Sequence, residues 1–267
     1  MKKLYIYLLL VSLTTILTSC VEVIEPAYKF EEQVFISGLM TSEASLISLQ
    51  IQNTVEANDS IFNPVNNAQV SLYTKDSSNS VSLVSNSFTI NNGDYTSTEE
   101  IIPIIGNTYW IEVVLDDTTI LQSEEEVMKA PVSILGMQKI DDVVKITFED
   151  QTDSQNFYLF QIDVFEDDEL IEEYTLLIND TNVTENLEES ISLENVNDGN
   201  TVKVDIYNLN FNTFQFYYNV FSVEDDLSLS SLFLPSNIVG NITNITTDEL
   251  ALGNFGITGY STMVVEF

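Results

Sequence analysis

Alternation at period two constrains this chain more than any other feature. In Ala68-Gln69-Val70-Ser71-Leu72-Tyr73, the residues Ala68, Val70 and Leu72 share one face. From Tyr109 to Leu115, Tyr109, Ile111, Val113 and Leu115 do the same, with Glu112 turned outward. A strand places successive side chains on opposite faces, so each run predicts a strand with one side against a core. Turn residues separate the runs: Asn91-Asn92-Gly93-Asp94, Ile105-Gly106-Asn107 and Asp116-Asp117. Regular structure begins at Val34-Phe35-Ile36-Ser37-Gly38-Leu39. Short strands at this spacing predict an immunoglobulin-like β-sandwich over residues 32–130.

A second series follows Ala130-Pro131, which the acidic run Glu124-Glu125-Glu126 precedes. Lys145–Phe148, Tyr158–Phe165, Leu170–Ile178 and Thr201–Tyr207 alternate or run apolar; Tyr158, Phe160, Ile162 and Val164 face one way, Gln161 and Asp163 the other. The turn Asn197-Asp198-Gly199-Asn200 predicts a tight hairpin into Thr201. Phe211, Phe214, Tyr218 and Phe221 recur at helical spacing, so they predict one face of a helix capped by Asn210 or Asn212. Phe216 and Tyr217 interrupt that stripe, and a buried strand is the alternative reading. The tail carries Gly240, Gly253, Gly256 and Gly259 and ends on Met263-Val264-Val265, a strand expected to pair back into a sheet. The expected fold class is mostly β: a sandwich, then a second β-rich domain over 131–267 with one short helix.

The N-terminus follows different rules. Lys2 and Lys3 precede an uncharged run from Leu4 to Leu17, within the length of a signal-peptide core and short of the ~20 residues a spanning helix needs. Leu17-Thr18-Ser19-Cys20 then matches a lipobox, in which a cysteine acquires diacylglycerol through sulfur and a further acyl chain of the palmitate kind on its amine. Each buried CH2 adds about 0.8 kcal/mol, so two or three chains anchor where one holds only marginally. Residues 1–19 are therefore expected to be a lipoprotein signal peptide, with Cys20 the lipidated residue and 20–31 a tether.

Composition narrows the chemistry. Hydrophobic residues make up 44% of the 267, with 15 Phe and 12 Tyr, which is ample for a packed core. Cys20 is the only cysteine, so lipidation leaves no thiol for disulfides, catalysis or metal binding. There is no histidine, which removes the usual general base and histidine-ligated metals. The net charge of −34, with lysine the only cation, repels phosphate backbones and anionic headgroups alike. Nucleic acid is thus not an expected partner, and the lipid bilayer is reached through the acylated Cys20.

Candidate sites are few. Calcium is the one metal these residue types suit, and Glu166-Asp167-Asp168-Glu169 and Asn195–Asn200 are the densest oxygen-rich loops, neither with EF-hand spacing. Trp110, Tyr109 and the cluster from Phe214 to Phe221 offer an aromatic platform for a sugar, or core packing between sheet and helix. Paired carboxylates carry no signal among 42 acids. No catalytic residue is expected.

The ordered features resemble a family of Bacteroidota lipoproteins known as domain of unknown function 4249. The resemblance rests on the lipobox cysteine, Val34–Thr41, Asn67–Tyr73, Asn92-Gly93-Asp94-Tyr95 and Gly106-Asn107-Thr108-Tyr109. It continues through Pro235-Ser236-Asn237-Ile238-Val239-Gly240-Asn241-Ile242 and Ala251-Leu252-Gly253-Asn254-Phe255, where members often carry Gly-Tyr-Phe. The first half also looks like sandwiches of the carboxypeptidase-regulatory and collagen-adhesin B types, which are scaffolds. Genes of the family tend to lie beside TonB-dependent receptors, so the resemblance implies a non-catalytic accessory in ligand capture or delivery. A structural or adhesive surface protein is the alternative. Asp59-Ser60-Ile61 and Asp117-Thr118-Thr119 resemble the short sites that such bacteria O-glycosylate, making Ser60 and Thr118 candidate acceptors. The expected location is the outer membrane. The acids Glu22 and Glu25 after Cys20 favour its outer surface over the periplasmic face.

Overall fold

The computed structural model describes residues 30–56, 63–115, 119–140, 143–149, 155–179, 193, 196–225 and 239–267. The alternating runs become strands: β1 (Val34–Thr41), β2 (Ser48–Asn53), β3 (Asn63–Pro64), β4 (Gln69–Lys75), β5 (Val81–Ser85), β6 (Phe88–Asn91), β7 (Asp94–Ser97), β8 (Thr108–Val114), β9 (Ile120–Ser123) and β10 (Glu126–Val127). After Pro131 follow β11 (Ile134–Ile140), β12 (Val143–Phe148), β13 (Phe157–Glu166), β14 (Glu169–Asn179) and β15 (Thr201–Leu209), then helix α1 (Phe211–Asp225), β16 (Val239–Asn244) and β17 (Glu249–Glu266). The fold is mostly β, with one helix among the described residues. The turn residues act as their chemistry requires: Asn92 and Gly93 adopt φ of 51° and 86° in the β6–β7 hairpin, which a two-residue Asn-Gly turn needs.

The principal sheet runs β5-β4-β8-β9-β16-β17-β1-β2-β7-β6. It folds over on itself as a sandwich, burying Ile36, Leu49, Ile51, Leu72, Tyr95 and Ile111 in a single core. The second core lies between β11–β12 and the sheet β14-β13-β15, where Val144, Phe148, Phe160, Ile162, Val204 and Ile206 meet.

Met128 belongs to the first core and Val132 to the second. Ile242, Phe255 and Ile257, from the far end of the chain, complete the first core. The cause is β17. Its first part runs parallel to β1, from Leu252 opposite Phe35 to Thr258 opposite Thr41. Its last part runs antiparallel to β15, from Gly259 opposite Asn208 to Glu266 opposite Thr201. A parallel pair needs a long crossover, and here everything from β2 to β16 lies between the two strands. Gly253 makes the pairing feasible: its φ is +103°, and a Cβ there would fall on the carbonyl oxygen of Ile36.

The segment from Phe211 is a helix, but its buried face is not the expected stripe. Thr213, Phe214 and Phe216 are buried, whereas Phe211 and Tyr218 are exposed. The helix serves two surfaces at once. Phe214 packs on Phe157 at 4.8 Å in the second lobe, and Phe216 meets Phe35 of β1 at 6.4 Å. The turn 197–200 also departs from the expected hairpin: β15 pairs with β13 and β17, and Asn200 accepts a backbone hydrogen bond from Phe267 at 3.0 Å.

Candidate functional site

Where the two lobes and the helix meet, the chain buries a carboxylate. Strand β10 pairs Glu126 with Tyr109 and Val127 with Thr108, and the pleat turns Glu126 inward and Val127 outward. The backbone N–H of Ile257 donates to Glu126 Oε2 at 3.2 Å, Asn210 Nδ2 at 3.3 Å and Thr213 Oγ1 at 3.4 Å. Asn241 Nδ2 donates to Oε1 at 3.3 Å. Four segments therefore converge on one side chain: β10, the start of α1, β16 and β17.

The partners are themselves fixed. Asn241 mimics a strand by donating to the Phe255 carbonyl at 2.8 Å and accepting from the Phe255 N–H at 2.9 Å. Asn210, at the cap position, shares its amide among Glu126 and the carbonyls of Val127 and Ile257, with the shortest contact to Ile257 at 2.8 Å. Asn254 Nδ2 donates to Thr213 Oγ1 at 3.1 Å, while its Oδ1 is buried with no partner among the described residues. On the same segment, Lys129 Nζ donates to the Leu209 carbonyl at 2.7 Å and to Asn208 Oδ1 at 3.4 Å.

Burial pushes the Glu126 carboxyl from an ordinary 4.5 up to about 7, against the pull of its four donors. Burial also lowers the Lys129 amine, with the Glu126 charge acting the other way. The first turn of α1 carries no acid of its own; Glu126 accepts from Asn210 and Thr213 there, and Glu124 accepts from Asn212 Nδ2 at 2.5 Å. With both oxygens taken by protein donors, Glu126 is a structural clasp.

Beside the clasp lies an exposed rim. Ile102, Ile104 and Ile105 project from the β7–β8 loop, and Val127 projects from β10. Elsewhere a groove of about 300 Å³ is lined by Ala68, Val70, Phe88, Ile90 and Tyr95.

The residues expected to matter fare differently. Cys20, Ser60 and Thr118 lie outside the described residues, as do 194–195 and 235–238. Glu166-Asp167-Asp168-Glu169 is the exposed β13–β14 hairpin, with φ of 49° and 66° at its two central residues. Among the described residues no three His, Cys, Asp or Glu side chains group as metal ligands. Tyr109 and Trp110 are buried, and Trp110 stacks on Tyr73 at 5.6 Å, so this pair is packing rather than an open platform.

The sequence profile described as Domain of unknown function (DUF4249) matches residues 21–263. The chain belongs to this family. In this DUF4249 member, the pieces that carried the likeness near the C-terminus meet at the clasp: Asn241 binds Glu126, and Asn254 reaches it through Thr213. No curated protein matches the chain. Among solved structures, the chicken interferon gamma receptor alpha chain aligns with 12% identity and a TM-score of 0.24, covering 67% of this chain and 90% of that one. A two-domain fibronectin type III segment of chicken tenascin gives 9% identity and 0.24, covering 67% and 91%. The calcium binding domain CBD12 of CALX1.1 gives 11% and 0.20, covering 84% and 98%.

Proposed function

We propose that this DUF4249 chain is a non-catalytic lipoprotein of the outer membrane, held in the bilayer by acylated Cys20, that acts as an accessory ligand-binding or scaffold partner of a TonB-dependent receptor. The observation that carries the reading is Cys20 itself. It is the chain's only thiol, and it stands directly after a signal-like apolar run and Leu17-Thr18-Ser19. The buried carboxylate supports the non-catalytic half, because an acid whose oxygens are filled by four protein donors has no room for a substrate. The apolar rim supports the partner half, since exposed apolar clusters on soluble domains mark contacts. No cofactor and no nucleic acid enters this reading, and the outer surface is favoured over the periplasmic face.

Affinity purification of the tagged, acylated protein from detergent-solubilised membranes tests it. A TonB-dependent receptor is expected in the eluate. Its absence, together with weakened cell attachment and unchanged nutrient growth on deletion, replaces this reading with the adhesive one. Hydrolysis of a glycan or peptide by the purified protein refutes the non-catalytic part.

A further inference from the structure

The β7–β8 loop holds three isoleucines out in water on a frame that does not let them fold away. Ile102 is 77% exposed, Ile104 60% and Ile105 53%. Their backbone is pinned on both sides. Ile101 is buried and exchanges two hydrogen bonds with Ser45, at 2.9 and 3.2 Å. The N–H of Ile104 donates to the Tyr109 hydroxyl at 2.8 Å, that of Gly106 to the Met128 carbonyl at 2.9 Å, and that of Met128 to the Asn107 carbonyl at 2.8 Å. Pro103 stiffens the middle. A scattered exposed isoleucine means nothing, but three within four residues, with Leu46 and Val127 exposed on the pinning segments, form a patch. A patch already rigid loses little conformational freedom on binding.

Charge selects the occupant. The flanking Glu43, Glu99, Glu100, Glu124 and Glu125 are all exposed, and Lys75, bonded to Glu125, is the basic side chain paired there. Acids around the apolar tip repel an anionic lipid surface. They also repel a second copy of the same patch, because like charges would face each other at its edge. A protein with an apolar pocket edged by Lys or Arg satisfies both requirements.

We propose that Ile102, Ile104 and Ile105 form a preset plug that docks into an apolar, basic-edged pocket on a partner protein. The proposal rests on the reading above, since it takes the receptor as that partner.

The test repeats the purification with three variants of the full acylated protein. Ile102→Ser/Ile104→Ser/Ile105→Ser is expected to lower receptor recovery about tenfold or more, as hot-spot removal does. Glu99→Lys/Glu100→Lys is expected to lower it severalfold and to flatten its dependence on salt. Leu170→Ser/Ile171→Ser, on exposed residues of β14, is expected to leave recovery unchanged. A receptor recovered equally with wild type and the triple variant overturns the plug and leaves the accessory reading standing; no receptor with wild type overturns both. Vesicles of phosphatidylethanolamine and phosphatidylglycerol at about 3:1, a largely zwitterionic surface with an anionic fraction, supply the other control. Isoleucine-dependent pelleting with these vesicles, or isoleucine-dependent dimers in sedimentation, also overturns the protein-partner assignment.

Discussion

Replacing Glu126 with glutamine removes a titrating proton at almost constant volume. The carboxyl is raised from 4.5 to about 7 in the fold. At about 1.4 kcal/mol per pH unit, that gap amounts to about 3 kcal/mol. Below pH 4.5 the folded and unfolded chains both hold the proton, and its contribution to stability is fully present. Between 4.5 and 7 the unfolded chain has released it while the folded chain keeps it, so stability falls as pH rises. Above 7 the folded state carries a buried charge and the contribution is gone. Glutamine has no such dependence. Its amide also faces donors that wanted an oxygen, a pH-independent cost of about 1–3 kcal/mol. The informative quantity is therefore the stability difference between the two proteins at each pH, in which groups that do not sense Glu126 cancel. Urea unfolding from pH 5 to pH 8 should show that difference moving by about 3 kcal/mol in favour of Glu126→Gln. Parallel profiles would mean that the four donors keep the carboxylate ionised at pH 5, and the argument from burial would fail.

Three further outcomes follow from the geometry. Gly253→Ala should cost about 3 kcal/mol or more in urea unfolding, because it sets a Cβ on the Ile36 carbonyl at a positive φ; a loss below about 1 kcal/mol would deny the close approach of β17 to β1. Phe216→Ala should cost about 3 kcal/mol and Phe211→Ala about 1 kcal/mol, since the first ring is buried and the second exposed; equal losses would restore the stripe expected from spacing. Cys20→Ser should move the protein from the membrane to the soluble fraction and abolish incorporation of labelled palmitate; retention in the membrane would remove the lipid anchor from the reading.

Period two was legible wherever a strand buries one face. Val70 and Leu72, Ile111 and Val113, and Phe160 and Ile162 all point inward as the alternation requires. It failed in β17, where seven consecutive residues from Gly253 to Gly259 are buried. There α1 covers the second face: a Cβ on Gly256 would meet the side chain of Thr213. A strand buried on both sides loses its alternation, so only Met263-Val264-Val265 showed as a strand. The helix was legible as a helix and not in its facing, because a stripe assumes one partner surface and this helix has two. The crossing of β17 between lobes was hidden for a related reason. Nothing in its composition says that residue 252 pairs with residue 35.

The clasp was illegible one residue at a time. Glu126 reads as the end of an acidic run, and the groups that bury it lie 84 to 131 positions away in sequence. Yet of its four donors Asn241 belongs to the motifs that carried the family likeness and Asn210 was expected as a cap, whereas Thr213 and Ile257 gave no signal. Asn241, Gly253 and Asn254 of those motifs lie near the seam between the two cores, where they supply backbone-like hydrogen bonds and a close approach. They hold β17 in place and help to occupy both oxygens of Glu126, which is a part in folding. On the reading proposed above, recognition falls to side chains that the fold holds out and does not use. The pinned isoleucines of the β7–β8 loop meet that condition. Substitutions at Asn241 or Gly253 should therefore register first in stability, and substitutions at Ile102, Ile104 and Ile105 first in binding.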